Sequence, residues 1–349
     1  MDGRRDLLPE AIRFRVPSRQ TALLSKLFFN LLKLRYYCSL KSLDRVSGSK
    51  PSKPFHHPRI SEQPAPPTMK IGMNMLLWAT HVTEEHYPRL EKAKATGFDG
   101  VEIPIFSGDD GHYKKLRRKL DELQLTCSTL TVATPDASAI SPDPAIRKAA
   151  VERLNRIVRQ SAILGADILC GPFHQPLGVF SGTGPTEEEF KFAIDVHRAV
   201  ADEAQRAGVV LAIEFLNRFE CYFLNTMGAT AAYVRRVDHP NFKALYDTFH
   251  ANIEEVDQRS AFSQNVDAIA HVHISNNDRG VPGRGHIDFP KIFKAIKASG
   301  YNGWLTIEAF GRALPDLTEP TRIWRDFFKS PDEVVVDGYK FIRETWKAA

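Results

Sequence analysis

From residue 69 onward, short apolar runs alternate with longer stretches in which apolar positions recur every three to four residues. This switching of period predicts repeated βα units that feed a parallel sheet. The apolar runs at 70–77, 100–105, 126–132, 167–170, 209–215, 244–247, 269–274 and 304–308 predict eight strands. Helical rhythm fills the intervals at 84–96, 113–123, 144–164, 187–207, 226–237, 260–265 and 289–299, and a terminal helix is expected at 331–346. Gly97, Gly165, Gly208 and Gly300 stand after four of these helices, where a left-handed residue closes a helix before the next strand. Eight strand–helix units in the 281 residues from 69 to 349 match the size and order of a (β/α)8 TIM barrel. The structural rival, an open doubly wound sheet, needs a Gly-x-Gly-x-x-Gly phosphate loop after an early strand, and none follows any of them.

Residues 1–68 differ in character. They combine a basic amphipathic patch with a run rich in Ser, Pro, Lys and His at 47–68, a composition that cannot bury a core. They also carry 13 Lys and Arg against 5 Asp and Glu, net +8, although the whole chain is only +5, so residues 69–349 are net −3. The extension is expected to be loosely structured or no part of the native domain, with Met69 opening the catalytic barrel of residues 69–349. A transit peptide is opposed by Asp2, Asp6 and Glu10. A surface anchor or partner helix is the remaining reading. An acidic body lacks the positive field that phosphate backbones require, which argues against a nucleic-acid partner. The most apolar stretch of the extension, 23–34, is interrupted by Lys26, Asn30 and Lys33 and is too short and too charged to span a bilayer. Cys38, Cys127, Cys170 and Cys221 are widely spaced and form no CxxC pair, which suits reduced thiols in a cytoplasmic compartment.

A barrel of this kind works at the C-terminal ends of its strands. Four predicted strand ends carry hard or borderline ligands: Glu214, Asp247, His273 and Glu308. One acid at a strand end is more often a helix cap or a loop ion pair, but four on strands five to eight are hard to assign to capping. Three carboxylates gathered in one barrel mouth would resist ionising together without a compensating cation. An O,O,O,N set points to a divalent ion of the Mn²⁺, Co²⁺ or Mg²⁺ kind, with Mn²⁺ favoured. Glu220, six residues after Glu214, and His250, three after Asp247, lie in polar βα loops. Arg279, in the loop after the seventh strand, could hold substrate oxygens through its guanidinium fork. Its plain alternative is a surface salt bridge.

The motifs ExxNRFE at 214–220, DTFHxNIEE at 247–255, HxHxSxxxRGxPGRG at 271–285 and the late Ile307-Glu308 resemble the ketose 3-epimerases, the D-tagatose/D-psicose 3-epimerase group of the xylose-isomerase-like TIM-barrel superfamily. The resemblance runs from residue 69 to about 310. It implies one Mn²⁺ or Co²⁺ held by Glu214, Asp247, His273 and Glu308, with Glu220, His250 and Arg279 on the sugar. It also implies inversion at C3 of a free ketose of the D-tagatose, D-fructose or D-psicose class. Glu214 and Glu308 would move the proton on opposite faces, through a cis-enediolate stabilised by the ion. Members of the group commonly form dimers or tetramers, so a homo-oligomer is expected. The chain departs from the family pattern in its first strand, where Asn74 and Met75 replace the usual aromatic residues. Trp78 and Phe173 are then the aromatic candidates for the sugar wall, with packing at the barrel rim as their other reading.

Three rival functions sit on the same barrel. An aldose–ketose isomerase of the hydroxypyruvate-isomerase kind would move the proton between C1 and C2. An endonuclease-IV-like repair enzyme would need three metals and more histidines at strand ends. A non-catalytic sugar-binding protein would be expected to lose one of the two glutamates.

Overall fold

The computed structural model describes residues 69–349, and the expectations for residues 1–68 lie outside the described residues. Eight parallel strands close into a barrel in chain order: β1 Lys70–Asn74, β2 Gly100–Pro104, β3 Thr126–Leu130, β4 Ile168–Gly171, β5 Val210–Glu214, β6 Phe242–Asp247, β7 Ile269–Ile274 and β8 Trp304–Ile307. The helices are α1 Tyr87–Thr96, α2 Asp110–Leu123, α3 Pro144–Leu164, α4 Glu187–Ala207, α5 Met227–Val237, α6 Thr248–Glu254, α7 Gln258–Ser263, α8 Phe289–Ala298, α9 Pro315–Thr321 and α10 Pro331–Ala348. The TIM barrel read from the periodicity is the fold. Among the described residues no helix is long and apolar enough to cross a membrane.

The long helices start and stop where their caps dictate. Asp143 accepts the N–H of Ala145 and Pro144 opens α3, while Gly165 closes it at φ 75°. Thr186 and Glu189 form a capping box at the head of α4, and Gly208 ends it at φ 72°. Gly97 and Gly300 also have positive φ, as their place after a helix requires. Trp304, fully buried at the start of β8, fills the barrel interior beside Leu130, Ile168, Cys170, Ala212 and Leu245. Gly100 makes room for it, because a Cβ there would stand 2.6 Å from the indole and 2.3 Å from the carbonyl oxygen of Thr126.

Three differences from the predicted elements bear on the site. The first strand stops at Asn74, whose Oδ1 accepts the N–H of Leu76 and bends the chain into a 3-10 turn, Met75–Leu77. The helix α6 follows β6 immediately because Asp247 caps it, accepting the N–H of Phe249, and so it carries His250. Two turns leave too little apolar periodicity to register in the sequence. Likewise α9, also two turns long, lies in the connection after β8, where Phe310 and Ile323 are buried with the barrel interior.

Candidate active site

Glu214 and Asp247 are the last residues of β5 and β6, His273 lies one residue before the end of β7, and Glu308 follows β8 directly. All four are buried, and one ligand atom from each lies within 4.8 Å of the others. Pairing of β6 with β7 sets Asp247 beside His273. His273 Nδ1 stands 3.5 Å from Glu308 Oε1, 3.8 Å from Asp247 Oδ2 and 3.9 Å from Glu214 Oε1, and it has no hydrogen-bond partner. A hard divalent ion with bonds of about 2.1 Å spaces its donors by about 3.0 Å in cis and about 4.2 Å in trans. The three separations from His273 Nδ1 fall in that window, and this nitrogen is buried and unpartnered. The donor set therefore fits a divalent cation.

The electrostatics make the same demand. Burial, and then Glu308 across the site, push the Glu214 carboxyl well above the usual carboxylate range. Burial acts on Asp247 in the same direction, but Arg279 outweighs it and holds that carboxyl well below the usual range. One guanidinium faces three acids, so the cluster is short of positive charge.

Behind His273 lies a second buried group: Glu102 of β2, Cys170 of β4 and His271 of β7. Glu102 Oε1 is 2.8 Å from His273 Nε2, and Oε2 is 2.7 Å from His271 Nε2. Tetrahedral zinc would hold such donors about 3.3 Å apart, so both separations are shorter than ligand spacings, and the His273 contact is a hydrogen bond. Ser128 Oγ donates to Glu102 Oε2 at 2.8 Å, and Cys170 Sγ donates to the same atom at 3.2 Å. Burial works to raise Glu102, but His273 and His271 override it and keep the carboxyl ionised. A carboxylate accepts only, so His273 donates its Nε2–H to Glu102 and turns Nδ1 toward the three acids. Sequence reading missed Glu102, although an acid inside the apolar run 100–105 was a visible anomaly.

Arg279 is no surface salt bridge. Its guanidinium is buried, with Nη1 donating to Glu308 Oε2 at 2.6 Å and to Asp247 Oδ2 and Ser275 Oγ at 2.9 Å. Nη2 lies 2.9 Å from His250 Nε2, and the group sits 3.9 Å from the centre of the Phe249 ring. His250 Nδ1 accepts the backbone N–H of Asn217 at 3.0 Å, and His250 Nε2 is 3.6 Å from Glu214 Oε1. Burial first and Arg279 next push the His250 pKa down to about 3, so the ring is neutral. Glu220 Oε1 accepts from Asn217 Nδ2 at 2.7 Å, and burial raises its carboxyl. Glu220, Asn217, Phe249 and Arg279 line a cavity of about 390 Å³ whose far wall is the segment 320–327. Trp78 stands apart: it is half-buried on the turn after β1, packs against the apolar shell and does not line this cavity. Phe173 is buried edge-on against His197.

Over residues 90–345 the chain matches the xylose isomerase-like TIM barrel family. It is 33% identical over 279 residues to the ketose 3-epimerase of Arthrobacter globiformis, an alignment spanning 79% of this chain and 96% of that one. To the D-psicose 3-epimerase of Ruminiclostridium cellulolyticum it is 29% identical, over 77% of this chain and 93% of the other. The solved structure of an L-ribulose 3-epimerase matches with a TM-score of 0.77 at 28% identity, covering 80% of this chain and 95% of that chain. With a closed eight-stranded barrel and a buried acid–imidazole cluster at its mouth, the chain belongs to the ketose 3-epimerase family of xylose isomerase-like TIM barrels and is an isomerase.

Proposed function

We propose that this protein inverts C3 of a free ketose of the D-tagatose, D-fructose or D-psicose class by transferring a proton between two glutamates. The observation that carries the reading is the buried convergence of Glu214 and Glu308 on His273 Nδ1, at 3.9 and 3.5 Å. Relatives named for ketoses, D-psicose and L-ribulose support the substrate class. Glu214, Asp247, His273 and Glu308 would hold the ion; three oxygens and one nitrogen suit Mn²⁺, with Co²⁺ or Mg²⁺ as substitutes. When bound, such an ion acidifies the C3 proton beside the carbonyl and offsets negative charge on the substrate oxygens.

The chain's own groups supply the rest. One glutamate takes the C3 proton from one face and the other returns a proton to the opposite face. Arg279 sits between Asp247 and Glu308, poised to meet negative charge developing at the neighbouring oxygen. His250, neutral, and Glu220 would fix the remaining hydroxyls. Residues 320–323, 325 and 327 form part of the cavity wall.

The test is a panel of free and phosphorylated ketoses incubated in D₂O with the Mn²⁺-loaded enzyme and read by NMR. Deuterium is expected at C3 with formation of the C3 epimer. Label at C1 or C2 would assign an aldose–ketose isomerase instead, and no label in any free ketose would end the epimerase reading. Glu214→Gln and Glu308→Gln should each lower kcat at least about 10³-fold, since each removes a proton carrier.

A further inference from the structure

Asn74, at the end of β1, is fully buried and uses every hydrogen-bonding group of its amide. Oδ1 accepts the N–H of Leu76 at 2.9 Å, while Nδ2 donates to Glu102 Oε1 and to Glu308 Oε1, each at 3.0 Å. The register of β1 against β2 sets Asn74 directly beside Glu102. The two acceptors belong to different networks. Glu308 is one of the four converging side chains, and Glu102 holds the far nitrogen of His273.

We propose that Asn74 is a positioning residue that ties the orientation of Glu308 to that of His273, and that the proton-transferring carboxylate is aimed through this amide. The inference rests on the functional reading above. The terminal torsion of a glutamate is soft, so either oxygen could face the ion. Here Oε1, which receives the Asn74 hydrogen bond, is the oxygen 3.5 Å from His273 Nδ1, while Oε2 receives Arg279 Nη1 at 2.6 Å. One oxygen is thereby committed to the ligand cluster and the other is held at the Arg279 side. The Glu214 side chain receives no such donor among the described residues. Its nearest imidazoles stand at 3.6 and 3.9 Å. The two glutamates are therefore unequal: Glu308 is held at both oxygens and Glu214 at neither. The same amide steadies Glu102 Oε1, the atom that receives His273 Nε2–H at 2.8 Å, so displacing the amide loosens two of the four converging side chains together.

A purely structural role is the competing account, since Oδ1 also caps the 3-10 turn. Asn74→Ser separates the two, because a serine hydroxyl still accepts from Leu76 but is too short to reach both carboxylates. The measurements are Mn²⁺ affinity by titration, the electron paramagnetic resonance spectrum of bound Mn²⁺, steady-state kinetics and circular dichroism of the metal-free protein. Expected for Asn74→Ser are a Mn²⁺ Kd raised about 10- to 100-fold, an altered Mn²⁺ spectrum and a kcat lowered tenfold or more, with KM changed less than about threefold. A variant with wild-type Mn²⁺ affinity and spectrum overturns the proposal, whatever its thermal stability. Should Asn74→Ser not fold, Asn74→Thr also keeps an oxygen that can cap the turn but is too short to reach both carboxylates, and an unchanged Mn²⁺ spectrum there is equally fatal. If the wild-type enzyme itself neither binds Mn²⁺ nor exchanges at C3, the functional reading has failed and this inference goes with it.

Discussion

Arg279 adopts the left-handed backbone region at φ 62°, a conformation that costs a residue with a side chain about 1 kcal/mol or more. Its place in the loop is held by what the guanidinium touches: Asp247, Glu308 and Ser275 through one nitrogen, His250 through the other, and Phe249 across its face. A lysine keeps the charge but not the planar fork, so it cannot meet these partners at once. Arg279→Lys should lower kcat/KM about 10²-fold, equivalent to about 2.7 kcal/mol of transition-state stabilisation. Steady-state kinetics on the best ketose measures it. Arg279 was legible as a candidate site residue from its motif, but its burial against two acids was not, because those acids come from other strands.

At the scale of elements, β4 joins the barrel through a glycine that has no substitute. Gly171 has φ 117°, and a Cβ there would lie 2.2 Å from the carbonyl oxygen of Thr131. It precedes the turn that delivers His174, whose Nε2 lies 3.0 Å from the carbonyl oxygen of Glu214. Gly171→Ala should destabilise the fold by on the order of 2–4 kcal/mol, read as a lower urea midpoint. Helix ends were readable in the sequence because caps are local: Asp143, Thr186, Gly165 and Gly208 act on their own neighbours. The helices α6 and α9 escaped because two turns bury too few residues to leave a periodic trace.

Over the whole molecule, stability is linked to protons, and the proposed ion should add a second linkage. Burial, first of all causes, pushes the pKa of His197 down to about 3 and that of His174 to about 4. Unfolded, each titrates near about 6.5, so below that pH the unfolded chain takes up protons that the folded chain refuses. Stability contributed by each ring is complete above the unfolded pKa and falls by about 1.4 kcal/mol per pH unit below it, until the folded pKa is reached. Urea unfolding at pH 7.0 and at 5.5, both about these values chosen to bracket the transition, should show the loss, and His197→Gln should reduce its slope. Mn²⁺ at 100 times its Kd should stabilise the protein by about 2.7 kcal/mol, raising the Tm, and a chelator should reverse the gain. The sequence by itself determined the barrel, since strand and helix periods are set by neighbours along the chain, and it singled out the four candidate ligands Glu214, Asp247, His273 and Glu308, since chemistry follows residue type. Only the tertiary structure decided that Asn74 and Glu102 stand behind Glu308 and His273, and that Trp78 stays off the cavity. Those relations depend on register and closure between strands up to 234 residues apart, which no local pattern records.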